Sequence, residues 1–444
     1  MKNKGWLVSI LLLAVVNLFF FWPGKLYFLN DDLLHIPLTD QGHLFQTNSV
    51  RPIHELLVRL DLFLWGKSAY GYHITALILH FIACLQLYDL SFVIQTRWLR
   101  IAREQAIQAA LLAVVLFLAY PQSTESLAWI LGRAPVLSII FLMITVRLFF
   151  AKIYKPINFF TGAFFFAANL FTYEQSIFLP ASLLLIAIQE KQKAKRLKMI
   201  VYIAILFAIN IGYIISRKLI TAEVIGGYEG NNLLKMNWGA LLLNFFRLLF
   251  RLVLNPASKI VFISSASILI LVVAAIMVLL RRMPINIKAI IFFSSTIVLL
   301  IAPVISLGLA VNSFESGRYL YLPSFFFIMA ISIAGFSAFY ANDRFKVPLI
   351  AFLIIVIIYW LKGKNDGSQH YADASAYSRS VELQIQNHFK VSSDTLYLDT
   401  LHVTVHRLPV FRRGFKTGIN WFNNRIDTNK IVVRYLHDEV LHRQ

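Results

Sequence analysis

The sequence predicts an all-α polytopic membrane protein with a small extracytoplasmic α+β domain, and three observations predict it. The 444 residues are 58% hydrophobic and only 14% charged, too apolar for a soluble globular enzyme. Apolar windows near the ~20 residues that a helix needs to cross a bilayer recur as far as residue 361. Basic residues fall on every second connection between those windows, which is the pattern that sets topology. The net charge of +20, from 42 Lys+Arg against 22 Asp+Glu, therefore reads as topology and lipid contact rather than nucleic-acid binding. Cys84 is the single cysteine and lies in an apolar run, so no intrachain disulfide forms and packing is its expected role.

Taken in order, the first apolar segment follows Lys2 and Lys4 and reaches Trp22-Pro23 without a small-residue cleavage site. It reads as an uncleaved signal anchor with a cytoplasmic N-terminus. The next connection, holding Asp31 and Asp32, then falls outside. Spans near 73–94 and 106–119 flank Arg97, Arg100 and Arg103, and spans near 135–151 and 157–171 flank Lys152 and Lys155. Spans near 175–189 and 199–216 flank Lys191, Lys193, Lys195, Arg196 and Lys198. Arg281, Arg282 and Lys288 separate spans near 260–280 and 289–310, and Arg344 with Lys346 separates spans near 320–340 and 347–361. About eleven crossings result, with an extracytoplasmic C-terminus, in what reads as a bacterial plasma (inner) membrane.

Two apolar stretches read as helices on the outer surface. In 49–66, Ile53, Leu57, Leu60 and Leu64 form one stripe and Arg51, His54 and Asp61 another, with Glu55 and Arg59 spaced to pair. In 238–256, Arg247 and Arg251 share one face, which fits an amphipathic interfacial helix or a re-entrant helix facing a site. The transmembrane domain is expected over 1–361, with the acidic pair in an outer loop at 23–72. After Trp360 the composition turns polar, and 362–444 is expected to form the separate extracytoplasmic domain.

Charges beside the membrane are costly unless paired or hydrated, so each needs a reason. Asp31, Asp32, Glu125, Arg133, Glu174, Glu315 and Arg318 all fall on outer connections. That one-sidedness points to a site at the outer surface; a proton-coupled transporter would place acids near the midplane.

The ordered set Asn30-Asp31-Asp32, Arg51-Pro52, Asp61, Gly66, Gly71-Tyr72-His73 and His80 resembles the first outer loop and second span of GT-C fold glycosyltransferases. The resemblance continues through Tyr120-Pro121, Thr124-Glu125-Ser126, Ala128-Trp129-Ile130, Gly132-Arg133, Glu174, Leu179-Pro180 and Arg318-Tyr319-Leu320-Tyr321-Leu322-Pro323-Ser324. It is nearest to the protein O-mannosyltransferase-like branch whose eukaryotic members carry tetratricopeptide repeats. This chain lacks the repeats, has Tyr120-Pro121 where that branch has His-Pro, and has Ala76 where it has Asn. The resemblance implies inverting transfer of a sugar, hexosyl or mannosyl, from a polyprenyl-phosphate donor to an acceptor hydroxyl on protein, lipid or glycan.

In that chemistry the acceptor hydroxyl loses a proton while the phosphate leaves as an anion. Asp31 or Asp32 is the expected general base, the other orienting its neighbour, a substrate hydroxyl or a divalent metal ion; a turn capped by Asp is the structural alternative. Arg133 and Arg318 are expected to grip the donor phosphate, or else to pair with Glu125 or Glu315 or reach lipid headgroups. Arg51, His73, His80, Glu125, Glu174 and Tyr321 complete the expected substrate-binding set. No His/Cys/carboxylate cluster has tight metal spacing, so no metal ligands are assigned. A transporter or flippase of lipid-linked sugars, holding phosphate without chemistry, is the alternative function.

Overall fold

The computed structural model describes residues 11, 14, 15, 17–43, 50–151, 155–221, 237–280, 287–341, 343, 346–392 and 394–436. The anchor's Lys2 and Lys4 and the loop cations Lys152, Arg281, Arg282 and Arg344 lie outside the described residues. Six described helices are long and apolar enough to cross a membrane: Ala69–Trp98, Leu131–Phe149, Lys193–Thr221, Lys288–Leu307, Gly317–Tyr340 and Lys346–Val391. The pair Arg103–Ala119 and Pro121–Ala128, bent by 58°, makes a seventh if counted as one span, and Pro156–Leu170, Glu174–Gln189 and Lys259–Ile270 are shorter apolar helices. The chain is an integral membrane helical bundle, with a count close to the expected crossings.

Two short helices follow the first apolar segment. We label α1 Asp32–Asp40 and α2 Pro52–Trp65. Proline at the first position starts α2, where its missing N–H is no loss. Gly66 ends it with φ +54°, a conformation that glycine adopts freely. Exposed Leu56, Leu60, Phe63 and Leu64 give α2 an open apolar face, while His54, Val58 and Asp61 turn inward, the geometry of a helix lying along an interface.

The second expected surface helix forms as α3, Trp238–Arg251. Asn237 caps it, its side chain accepting from Gly239 N at 2.8 Å. Its two arginines part company. Arg247 stays partly exposed, whereas Arg251 is buried and donates to Gln122 Oε1 at 3.1 Å, Val311 O at 3.3 Å and Ser313 O at 2.8 Å. Arg251 thus knots α3 to the connections around residues 122 and 311–313, and its charge is shared among oxygens that would otherwise be unpaired.

A 46-residue helix, α4, runs Lys346–Val391 straight through the expected 361/362 boundary. Trp360, Lys364, Gly367, Tyr371, Ala374, Ser378, Val381 and Ile385 are buried along it at helical spacing. Beyond it, β1 (Leu396–His402) pairs in parallel with β4 (Ile431–Leu436), and β2 (Thr404–Val405) pairs with β3 (Leu408–Pro409). The short helix α5, Phe415–Phe422, connects β3 towards β4 and packs on α1. Phe28, Leu29 and Leu33 share one core with Ile385, Leu398, Phe411 and Trp421, so residues from both sides of 361/362 bury each other. Gly414 has φ +75° and approaches so closely that a Cβ there would stand 2.5 Å from Leu34 N. That contact lets the C-terminal unit lie directly on the helix that carries the acidic pair.

Candidate active site

The site grows from the join between the first apolar segment and α1. Asn30 takes φ 48°, a left-handed turn that asparagine tolerates, and its N–H donates to Val410 O at 2.7 Å. The two acids that follow have different surroundings. Asp32 is 1% exposed and accepts from Leu29 N at 3.1 Å and from Leu131 N at 3.0 Å. It therefore staples the first connection to the turn at 129–133. Asp31 is partly exposed, makes no side-chain cap to α1, and keeps a carboxylate oxygen, Oδ1, without a hydrogen-bond partner.

Burial pushes the Asp32 carboxyl up to about 8, against the two amide hydrogen bonds and Arg133 and with help from Asp31. A carboxyl raised on folding contributes stability that is complete below its unfolded value near 4 and lost as pH rises through about 8. Asp32→Asn is expected to flatten the fall in thermal stability between pH 5 and pH 8.5. Thermal melts at the two pH values check this, and a wild-type slope in the variant refutes it.

Arg133 and Asp61 form a buried ion pair, both side chains fully enclosed. Arg133 Nη1 also donates to Tyr72 O at 3.1 Å, and Thr75 Oγ1 donates to Asp61 Oδ1 at 2.7 Å. The pair locks α2 to the helix beginning at Ala69. Arg133 thus meets neither Glu125 nor solvent. His54 is buried beside this pair, and burial, reinforced by Arg133, Arg51 and His35, holds its imidazole neutral, well below the ordinary histidine range. His35 lies one turn after Asp31, its N–H donating to Asp31 O at 2.8 Å.

Two partly open ion pairs complete this end of the bundle. Arg51 grips Glu174 with both prongs, at 3.0 and 3.1 Å, and its guanidinium lies 4.7 Å from the Tyr173 ring. Arg217 Nη1 adds a contact to Glu174 at 3.4 Å. Burial works against the Glu174 anion, yet Arg51 and then Arg217 hold its carboxyl down to about 2. Arg318 binds Glu125 through its side chain at 2.9 Å and its backbone N–H at 2.8 Å, lying between the rings of Trp129 and Tyr319. Glu125 is buried, whereas the Arg318 and Arg51 side chains keep 18% and 19% of their surface open.

The structure thus brings Asp31, Asp32, Arg51, Glu125, Arg133, Glu174 and Arg318 to one end of the bundle. His80 and Tyr321 sit deeper, His80 Nδ1 meeting the Tyr321 hydroxyl at 2.8 Å, both buried against Phe117. His73 is buried beside the backbone of Tyr27 and Leu127. Asp61 and Arg217 were not singled out as site residues from the sequence. The Arg217-Lys218 pair at the end of an apolar run marks Arg217, but nothing local pairs Asp61 with a residue 72 positions away. Among the described residues, no group of three His, Cys, Asp or Glu side chains is placed to hold a metal ion.

The protein is an integral membrane helical bundle with its charged groups gathered at one end, and its structural similarity to a solved protein shows a GT-C fold. The chain is similar in structure to ArnT from Cupriavidus metallidurans bound to undecaprenyl phosphate. The TM-score is 0.51 at 11% identity, covering 97% of this chain and 90% of that one. The apo form of ArnT from the same organism aligns with a TM-score of 0.48 at 12% identity, over 98% and 90% of the two chains. No protein-family model and no curated protein sequence matches the chain.

Proposed function

We propose that this protein is an inverting glycosyltransferase that moves a sugar from a polyprenyl-phosphate donor to an acceptor hydroxyl at the extracytoplasmic face. The observation that carries the reading is the division of labour in the acidic pair. Asp32 spends both oxygens on backbone amides, while Asp31 keeps an oxygen, Oδ1, without a partner. A base needs a lone pair that the protein does not already hold, and the buried, unpartnered Oδ1 of Asp31 has one. The resemblance to a fold solved with undecaprenyl phosphate in ArnT supports a lipid-phosphate donor.

In the mechanism, Asp31 takes the proton from the acceptor hydroxyl as the acceptor oxygen attacks the anomeric carbon. The bond to the donor phosphate breaks, and the phosphate leaves as polyprenyl phosphate. Asp32 is a positioning residue that fixes the turn on which Asp31 stands. Arg51 and Arg318 are the phosphate-gripping candidates, because they alone of the three expected arginines keep part of their side chains exposed, and a guanidinium fork matches phosphate oxygens. Arg133 serves the same site by holding α2 in place. Glu125 and Glu174 aim the two arginines, and His73, His80 and Tyr321 support the helices beneath.

Purified protein in nanodiscs, incubated with a panel of polyprenyl-phosphate sugars, should consume at least one donor, with the glycosylated acceptor identified by mass spectrometry. Arg51→Lys and Arg318→Lys keep the charge but lose the fork, and donor kcat/KM is expected to fall roughly tenfold or more in each. Wild-type kinetics in both variants would remove the arginines from donor binding. Transbilayer movement of an intact donor, with no sugar released, would replace the enzyme by a flippase.

A further inference from the structure

Just beyond the first apolar segment, a cavity of about 390 Å³ opens between the strand of chain at Gly24–Tyr27 and α4. Its rim carries Lys25 and Arg379, and its wall carries Ala372, Ala376 and Leu383. Neither cation forms a salt bridge among the described residues. Asp373, also on the wall, is occupied by His406 at 3.0 Å. Ser375, 1% exposed and on the cavity lining, has a hydroxyl without a hydrogen-bond partner. A buried hydroxyl without a protein partner, beside Lys25 and an Arg379 whose carboxylate neighbour, Glu382, is already bonded to Tyr27, fits a ligand that brings acceptor oxygens and negative charge.

The position of the cavity selects among such ligands. The cavity lies immediately past the first apolar segment, which the sequence reads as a membrane anchor, and exposed Phe19 (71%) and Trp22 (46%) continue from it along that segment. A tryptophan at the end of an apolar segment, as Trp22 is, marks the headgroup boundary. We propose that this groove binds the phosphate of an anionic glycerophospholipid, with Lys25, Arg379 and the Ser375 hydroxyl on the phosphate and an acyl chain along Phe19 and Trp22. The groove is separate from the residues assigned to glycosyl transfer. It communicates with them through one short path: Tyr27 on its wall leads to Leu29, whose N–H is held by Asp32. A lipid seated here braces the acidic turn from behind.

The test uses the full-length protein in detergent, with native mass spectrometry and thermal shift on adding phosphatidylglycerol, phosphatidylcholine or inorganic phosphate. Wild type is expected to retain phosphatidylglycerol over phosphatidylcholine by tenfold or more, and Lys25→Gln/Arg379→Gln to lose that preference while melting normally without added lipid. Ser375→Ala is expected to weaken retention severalfold, which a purely electrostatic surface would not show. Equal retention of both lipids by wild type, or an unchanged preference in the double variant, overturns the proposal. Inorganic phosphate stabilising wild type as strongly as the lipid overturns the lipid assignment in favour of a soluble phosphate ligand. None of these readouts depends on turnover, so failure here and failure of the glycosyltransferase reading are told apart.

Discussion

Asp61→Asn is expected to destabilise the protein by about 3–5 kcal/mol, the cost of leaving a buried charge without its partner. Arg133 and Asp61 are both fully enclosed, so neither can turn to water when the other is removed. Arg133→Met should cost a comparable amount, since Asp61 would then keep only the Thr75 hydroxyl. The pair Arg133→Met/Asp61→Leu removes both charges and is expected to recover most of the loss, because apolar groups of similar volume often replace a buried ion pair at little cost. Thermal melts of the three variants make a double-mutant cycle. If the single variants melt like wild type, the pair does not hold α2 in place. Activity of the double variant separates two roles: a packing role leaves transfer largely intact, whereas a phosphate-gripping role for Arg133 abolishes it.

How much of this was legible in the sequence follows from the range of each interaction. The spans, the surface helices 49–66 and 238–256, and the gathering of charged connections follow from local composition and periodicity, and the bundle shows them. Pairings across the bundle do not. Pairing with Glu125 or Glu315 was the alternative to phosphate gripping for both Arg133 and Arg318; Arg318 takes Glu125 from a distant connection, while Arg133 meets Asp61, a partner the sequence did not suggest. Complementary charges on several outer loops admit many pairings, and only packing chooses between them. The run of α4 through 361/362 is a different kind of surprise. The fall in hydropathy after Trp360 resembles a boundary, but small and apolar residues keep recurring every three or four positions from Gly363 to Ile385. A helix leaving the membrane changes its outer face from apolar to polar without ending.

The acidic pair shows a third limit. Two adjacent carboxylates carry the same local signal, and only the tertiary partners, Leu131 N on Asp32 and none on Asp31 Oδ1, give them different tasks. From that difference, Asp31→Asn is expected to lower kcat by roughly 10²–10⁴-fold, the usual contribution of a positioned base. Stability should change little, within about 0.5 kcal/mol, because the side chain makes no hydrogen bond that the substitution removes. Asp32→Asn should show the reverse emphasis, a changed pH dependence of melting with partial activity. Steady-state rates and melts of the two variants together decide the assignment. A fully active Asp31→Asn would transfer the role of base elsewhere.

Glycosyl transfer here is one displacement at the anomeric carbon, driven by Asp31 drawing the proton from the acceptor while phosphate departs. Proton NMR of the product formed from a donor of known configuration reads this directly. Inversion at the anomeric carbon, lost together with turnover in Asp31→Asn, is the predicted result, and a product with retained configuration would contradict it.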